Sequence, residues 1–234
     1  MLIYGKNVAK AVFDRRELYQ KIKIIYIEDN FEKKNKDFVP EMLKSKIKIL
    51  PKIEMDRLAG GLHQGIMLSM VDYQYTSLAM VLGKDPSFVV LLDHLEDPHN
   101  LGAIIRTCVA AGVDAIIIPT DRQVMINATV MKTSAGTLYD IPIVSVVNLS
   151  QAIEQLKKQQ FWIVGTAMDG QDYKDINYDG KIGLVIGNEG KGMHQLTRKK
   201  CDFIASIPMH SSLDSLNASV ASGIMIYEVI RHRK

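Results

Sequence analysis

From Phe88 onward the chain alternates short apolar runs with amphipathic stretches, and no other feature limits its fold as tightly. The runs FVVLL, DAIIIP, IPIVSV, FWIVGT, IGLVIG and FIASIP each have the length and composition of a buried strand. Helical patterns separate most of them, over 100–111, 126–134, 149–159, 193–199 and 215–232. Strands apolar on both faces, alternating with helices, predict a parallel or mostly parallel sheet covered on both sides. Ligands bind such sheets beyond the carboxyl ends of the strands, so the loops there are the places to look for function.

A smaller α/β pattern precedes this one. GKNVAKAVFD has helical spacing, IKIIYIE reads as a buried strand, and KDFVPEMLKS reads as helical around its proline. KIKIL is a short strand, KIEMDRLAG a helix closed by Gly60-Gly61, and QGIMLSM a last strand. Residues 71–86 lose periodicity and contain Gly83 and Pro86, which suits a linker with a helical turn or two. The expected organisation is a domain over 1–70, a linker over 71–87 and a second domain over 88–234.

Charge is uneven between them. Residues 1–60 hold 14 Lys/Arg against 9 Asp/Glu, within a chain whose net charge is only +3. Such a surplus suits a polyanion partner, although solvated surface lysines explain it equally well. Nothing approaches the roughly 18 consecutive apolar residues of a membrane span, and MLIYGKNVAK lacks a signal-peptide core. Cys108 and Cys201 have neither close spacing nor a second pair, which argues against a disulfide framework or structural zinc. A reducing, cytoplasmic setting is expected, with both cysteines as buried small hydrophobes.

Three loops are unusually polar or rich in glycine. In LDHLEDPHNLGAIIRTCVAAG (92–112), Pro98 stops the preceding structure and Asn100 can cap a helix. Ile104, Ile105, Cys108 and Val109 then face the core, while Arg106 has Gly102, Ala103 and Ala110 as neighbours. Those small neighbours would let a ligand approach the guanidinium, but a plain surface arginine fits as well. The cluster Asp93, His94, Glu96, Asp97 and His99 lacks a metal-binding frame. In IGLVIGNEGKGM (182–193), an acid sits in a glycine turn after a strand, with neither a P-loop nor a dinucleotide fingerprint. Finally, SSLDSLN (211–217) offers more polar side chains than helix capping requires. Asp214 or Ser215 would suffice as a cap, and the helix beyond carries Leu216, Val220, Ile224, Tyr227 and Ile230 on one stripe.

Taken in order, DPHNLGAIIRT, VIGNEGKGM and IPMHSSLDSLNASVA resemble the three signature motifs of the SpoU/TrmH family, with secondary matches at NATVMKTSAG and WIVGTAM. These are S-adenosylmethionine-dependent RNA ribose 2′-O-methyltransferases of the knotted SPOUT superfamily. The resemblance covers 88–234, and the first 70 residues resemble the RNA-binding domain many members carry, a fold shared with certain ribosomal proteins. It implies a deep trefoil knot, an exception to the rule against threaded chains. It also implies a homodimer with sites built from both subunits, and ribosomal RNA as substrate. Ala218 stands where a valine is common after S-L-N, and HSSLD lacks a glycine many members have.

Carried over by position, the resemblance implies S-adenosyl-L-methionine held by Thr166, Gly187, Ile207 and Leu216, without a metal. Leu216 would bind through its main chain while its side chain enters the core. Arg106 would act on the 2′-hydroxyl, with Asn100 and Glu189 orienting the target and Ser215 and Asn217 completing the pocket. Methylation of transfer RNA, a non-catalytic RNA-binding module and a metal-dependent hydrolase are the alternatives.

Overall fold

A computed structural model describes residues 1–59, 63–210 and 215–233 of the 234-residue chain. They fall into two compact units, one of residues 1–74 with 126–137, the other of 75–125 with 138–234.

The first unit holds β1 (Leu2–Tyr4), α1 (Lys6–Phe13), β2 (Ile22–Glu28), α2 (Asp29–Lys34), β3 (Ile47–Leu50), α3 (Lys52–Ala59) and β4 (Ile66–Met70). Its sheet runs β1-β4-β2-β3; β4 is antiparallel to both neighbours and β3 parallel to β2. The helix expected over 36–45 does not form. A proline disfavours helical conformation at the residue before it, so no helix runs through Val39; α2 has already ended at Lys34, and a 3₁₀ segment, Glu41–Lys46, follows Pro40. Strand β1, three residues long, is too short to show a period. The expected closure of α3 at Gly60-Gly61 lies outside the described residues. His63 is structural: its Nδ1 accepts from the Gly65 amide at 2.9 Å, so Nε2 carries the proton and donates to Asp56 at 3.0 Å. A helix over Ala128–Thr133 also belongs to this unit, although its sequence position falls within the expected second domain.

The second unit opens with α4 (Leu78–Leu82), inside the expected linker, and continues through β5 (Phe88–Asp93), α5 (Pro98–Ala111) and β6 (Ala115–Pro119). Counting the first unit's Ala128–Thr133 helix as α6, there follow β7 (Ile143–Val146), α7 (Leu149–Lys158), β8 (Phe161–Asp172), β9 (Lys181–Gly187), α8 (Gln195–Lys200), β10 (Phe203–Ser206) and α9 (Ala218–Arg231). The sheet order is β10-β8-β9-β5-β6-β7, and its pairings are parallel. Every residue of β5 and β6 is buried, which is why both appear as unbroken apolar runs. From β5 the chain winds outward through β6 and β7, then returns to build β8, β9 and β10 on the other side. The winding therefore reverses between β5 and β9, the position at which open α/β sheets leave a crevice.

Two sequence expectations about packing are corrected. On α9 the buried residues are Ala218, Ser222, Met225, Ile226, Glu228 and Val229, while Val220 and Tyr227 of the expected core stripe are half exposed. On α5, Ile104, Ile105 and Cys108 are buried but Val109 is only partly so; Cys201 is likewise partly buried.

Leu91 lies at the centre of β5, paired with Ile117 and Val185 and fully buried. Leu91→Ala should lower stability by about 2–5 kcal/mol, read as the loss in a urea or thermal unfolding curve; a change under about 1 kcal/mol would contradict the packing described.

Candidate functional site

Beside residues 166–169 of β8, and beyond the carboxyl ends of β9 and β10, lies a cavity of about 490 Å³, within the range of small-molecule sites. Thr166, Gly187, Glu189, Ile207, Ser215 and Leu216 all line it. Three stretches distant in sequence thus share one wall. The first exists because β8 leaves its ladder: β10 pairs with Val164 and Gly165, then resumes at Gln171 and Asp172, so 166–170 bulge outward. The Ser206 hydroxyl anchors the bulge by donating to the Met168 carbonyl at 2.9 Å, and the Thr166 hydroxyl donates to the Val185 carbonyl at 3.1 Å. Where the strand rejoins, a Cβ on Gly170 would sit 2.4 Å from the Ile204 carbonyl oxygen, so only glycine fits.

The second wall is the turn after β9. Asn188 and Gly192 exchange backbone hydrogen bonds at 3.0 and 2.9 Å, and the Asn188 side chain accepts from the Gly190 and Lys191 amides. Its amide group donates to the His94 carbonyl at 2.8 Å, tying the turn to the end of β5. The turn folds back so tightly that a Cβ on Gly187 would lie 2.6 Å from Gly192 C and Met193 N. Gly187 is thus required by the loop itself, whatever the cavity holds. Sequence reasoning passed over Asn188, whose only signal is an amide side chain opening a glycine turn.

Beside the cavity, at the β5–β9 reversal, the polar residues form a chain. Asn100 Nδ2 donates to Glu189, and Asn217 Nδ2 donates to Asn100 Oδ1 at 2.9 Å. Asn217 Oδ1 in turn accepts from the Ser219 amide at 2.9 Å and the Val220 amide at 3.4 Å. These contacts revise both expected caps. The N-cap of α9 is Asn217 rather than Ser215, and Asp214, with Ser211–Leu213, lies outside the described residues. The N-cap of α5 is Asp97, with Pro98 starting the helix rather than stopping what precedes it; Asn100 sits inside the first turn, buried, its side chain free for the chain of amides. Ser215 is exposed at the cavity, and Leu216 is half-buried on its wall rather than within the core.

Arg106 stands apart. It lies on α5 nearly two turns beyond Asn100, is exposed, does not line the cavity, and makes no hydrogen bond or ion pair among the described residues. The Asp93–His99 cluster divides by role. Asp93 is fully buried, accepts from His94 Nδ1 at 2.5 Å and from the His194 amide at 2.7 Å, and so pins the start of α8 to the end of β5. Among the described residues, no three His, Cys, Asp or Glu side chains are grouped to hold a metal ion.

At the cavity rim, Arg198 donates to both oxygens of Asp169, and those hydrogen bonds hold the Asp169 carboxyl below the usual carboxylate range. Burial pushes the Cys201 thiol up to about 12 and the Cys108 thiol higher still, so neither is a ready nucleophile.

Residues 87–227 match the SpoU rRNA Methylase family. A Staphylococcus epidermidis protein assigned to the TrmH family of tRNA/rRNA methyltransferases is 41% identical over 242 residues, spanning 100% of this chain and 96% of its own length. A Bacillus subtilis protein with the same assignment is 38% identical over 241 residues, covering 99% and 95%. Among solved structures, the SpoU methyltransferase AviRb of Streptomyces viridochromogenes, with AdoMet bound, superposes with a TM-score of 0.80 at 23% identity over 100% of this chain and 90% of that one. An AdoMet-bound rRNA methyltransferase of Sinorhizobium meliloti superposes at 0.77 with 25% identity over 99% and 87%.

Two substitutions test the loop and the amide chain. Gly187→Ala should destabilise the turn and lower the melting temperature by several degrees, whereas Gly190→Ala, whose Cβ would meet only Asn188 Oδ1 at 3.7 Å, should leave it nearly unchanged. Equal shifts in a thermal melt would refute the packing argument. Asn217→Ala should cost about 1 kcal/mol through the lost cap. Asn217→Asp keeps the accepting oxygens and should recover most of that loss, while still lacking the donor to Asn100.

Proposed function

The chain belongs to the SpoU/TrmH family of RNA methyltransferases, and from that premise we propose that it transfers a methyl group from S-adenosylmethionine to a ribose 2′-hydroxyl of RNA. The observation that carries this reading is the single cavity onto which Thr166, Gly187, Ile207 and Leu216 converge, with Glu189 joining it to Asn100 and Asn217. The cavity suits the donor: it is large enough, apolar on the Ile207, Leu216 and Ala221 side, and edged by backbone at the end of a sheet. Bound there, S-adenosylmethionine supplies a methyl already activated as a sulfonium.

The chain's own residues then have two tasks. They must fix the geometry of the two reactants, a contribution that can reach roughly 7–11 kcal/mol. They must also stabilise the alkoxide character that develops on a weakly acidic hydroxyl as its proton passes to solvent and its oxygen displaces the donor's thioether. Glu189, aimed by Asn100, holds the target nucleotide. Asn217 holds Asn100 in turn and fixes the start of α9 on the cavity wall. A guanidinium offers five N–H donors and no acceptor, so Arg106 serves as a hydrogen-bond and charge partner for the hydroxyl and the neighbouring phosphate rather than as a base. Its exposure, and the lack of a hydrogen bond or ion pair to it among the described residues, suit contact with an incoming polyanion.

A guanosine in large-subunit ribosomal RNA, as in RlmB-like members, is the proposed target; transfer RNA is the competing one. The knotted arrangement of the 88–234 domain and the homodimer belong to the same proposal, the latter favoured by the half-exposed Val220 and Tyr227 on α9. The basic surplus in 1–60 suits phosphate contact by an RNA-binding domain over 1–70, and a cytoplasmic site of action follows from such a substrate.

Incubation with tritiated S-adenosylmethionine and either ribosomal RNA fragments or transfer RNA, followed by alkaline hydrolysis, tests the reading. Label retained in alkali-resistant dinucleotides is expected, because a 2′-O-methyl blocks cleavage of the adjacent bond; label on a base would overturn it, and no incorporation would favour a non-catalytic module. Arg106→Ala should reduce turnover by about 100-fold or more, with donor binding by calorimetry unchanged; near-normal turnover would remove Arg106 from the mechanism.

A further inference from the structure

We propose that Asp169 and Arg198 together receive the zwitterionic amino-acid end of the methyl donor. The inference rests on the donor reading above and adds a recognition site to it. Among the described residues, four ionisable ones line the cavity, Asp169, Glu189, Lys191 and Arg198. Glu189 is engaged by Asn100, and Lys191 sits at the exposed tip of its turn. Asp169 and Arg198 are the oppositely charged pair in direct contact, with Nη1···Oδ1 at 3.0 Å and Nη2···Oδ2 at 2.8 Å.

The pair contributes little to folding, since both side chains are largely open to solvent, 69% for Asp169 and 40% for Arg198. Yet two specialised features position it. Asp169 rides on the bulge of β8, which Gly170 and the Ser206–Met168 hydrogen bond hold in place. Arg198 projects from α8, whose start is pinned to β5 through the buried Asp93. Both scaffolds present their charges to the cavity rather than to each other alone.

Its valences match an α-amino acid. A carboxylate has about four lone-pair sites and a guanidinium five N–H donors, of which the bidentate contact consumes two on each side. Asp169 therefore keeps acceptor capacity for an ammonium, and Arg198 keeps N–H donors for a carboxylate, without breaking their own bond. One ion pair becomes a closed array of four charges, each facing an opposite one. The apolar wall of Ile207, Leu216 and Ala221 offers nothing for those charges and suits the adenosyl portion instead.

Calorimetric titration with S-adenosylhomocysteine and with 5′-methylthioadenosine, which keeps the adenosyl thioether but lacks the amino-acid end, isolates this contact. Against the wild type, Arg198→Gln and Asp169→Asn should each weaken S-adenosylhomocysteine by about tenfold or more while leaving 5′-methylthioadenosine within about twofold. Lys199→Gln, on the same helix but off the cavity lining, serves as the comparison and should affect neither ligand. Equal losses for both ligands would make the pair a shaper of the cavity, and no loss, or an equal selective loss on Lys199→Gln, would likewise overturn the proposal. Failure of the wild type to bind either ligand would instead overturn the donor reading itself. Matching thermal melts for the variants would exclude misfolding as the source of any loss.

Discussion

The parallel pairing of β5 with β9 is the constraint on which the rest of the second unit depends. It sets Asp93 opposite Gly187 and so brings two strand ends almost a hundred residues apart to one edge. Everything polar in the site is measured from that register. Asn100 can reach Glu189 because α5 starts just past the end of β5 and the glycine turn starts just past the end of β9. A slip of one residue would also turn the side chains of β9 to the opposite faces of the sheet. The register is locked at the edge as well as along the ladder. Asn188 reaches the His94 carbonyl, and the buried Asp93 carboxylate reaches the His194 amide, one from each side of the pair. A buried carboxylate without such donors would be costly, so the lock is also what allows Asp93 to be there.

The sheet was readable from the chain because both its faces are covered. Strands β5 and β6 are buried throughout and leave uninterrupted apolar runs, and the expected strand positions after Phe88 agree with those observed to within a few residues at most ends. The exception is β8, whose second half, past the bulge, carries polar residues and gives no strand signal. Helix α9 was misread for a different reason. Its buried side includes the small residues Ala218 and Ser222, and α5 packs against the helix, while large apolar side chains occur around most of its circumference. Periodicity follows the large residues and so selected a stripe that includes the half-exposed Val220 and Tyr227.

The capping errors share one cause. Ser, Asp and Asn can all cap, and where several lie in succession the choice depends on what each side chain meets elsewhere. Asp97 wins over Asn100 because Pro98, tolerated only at the start of a helix, sets the helix beginning three residues earlier than a cap at Asn100 would. Asn217 wins at α9 because its oxygen serves the helix while its nitrogen serves Asn100. Neither partner could be inferred from local sequence, since Asn100 is more than a hundred residues away. The grouping of Thr166, Gly187, Ile207 and Leu216 is implied instead by the resemblance to the SpoU/TrmH motifs, which relates the loops to one another without showing how they touch.

The double use of Asn217 alters how the polar run before α9 is understood. A residue that caps a helix and also aims a neighbouring amide transmits any displacement of the helix start to Asn100, and from there to Glu189. The helix start is itself next to the cavity, through Leu216 and Ala218. A ligand in the cavity would therefore bear on the Asn217–Asn100–Glu189 chain at both ends, since Glu189 lines the cavity as well. In the proposed reaction, donor occupancy would then bear on the aim of Glu189 through the start of α9 and two amide hydrogen bonds, a short and contiguous path. Within the proposed reaction this gives the cavity a second task, since filling it would complete the geometry at the reversal point of the sheet, where the nucleotide has to be held.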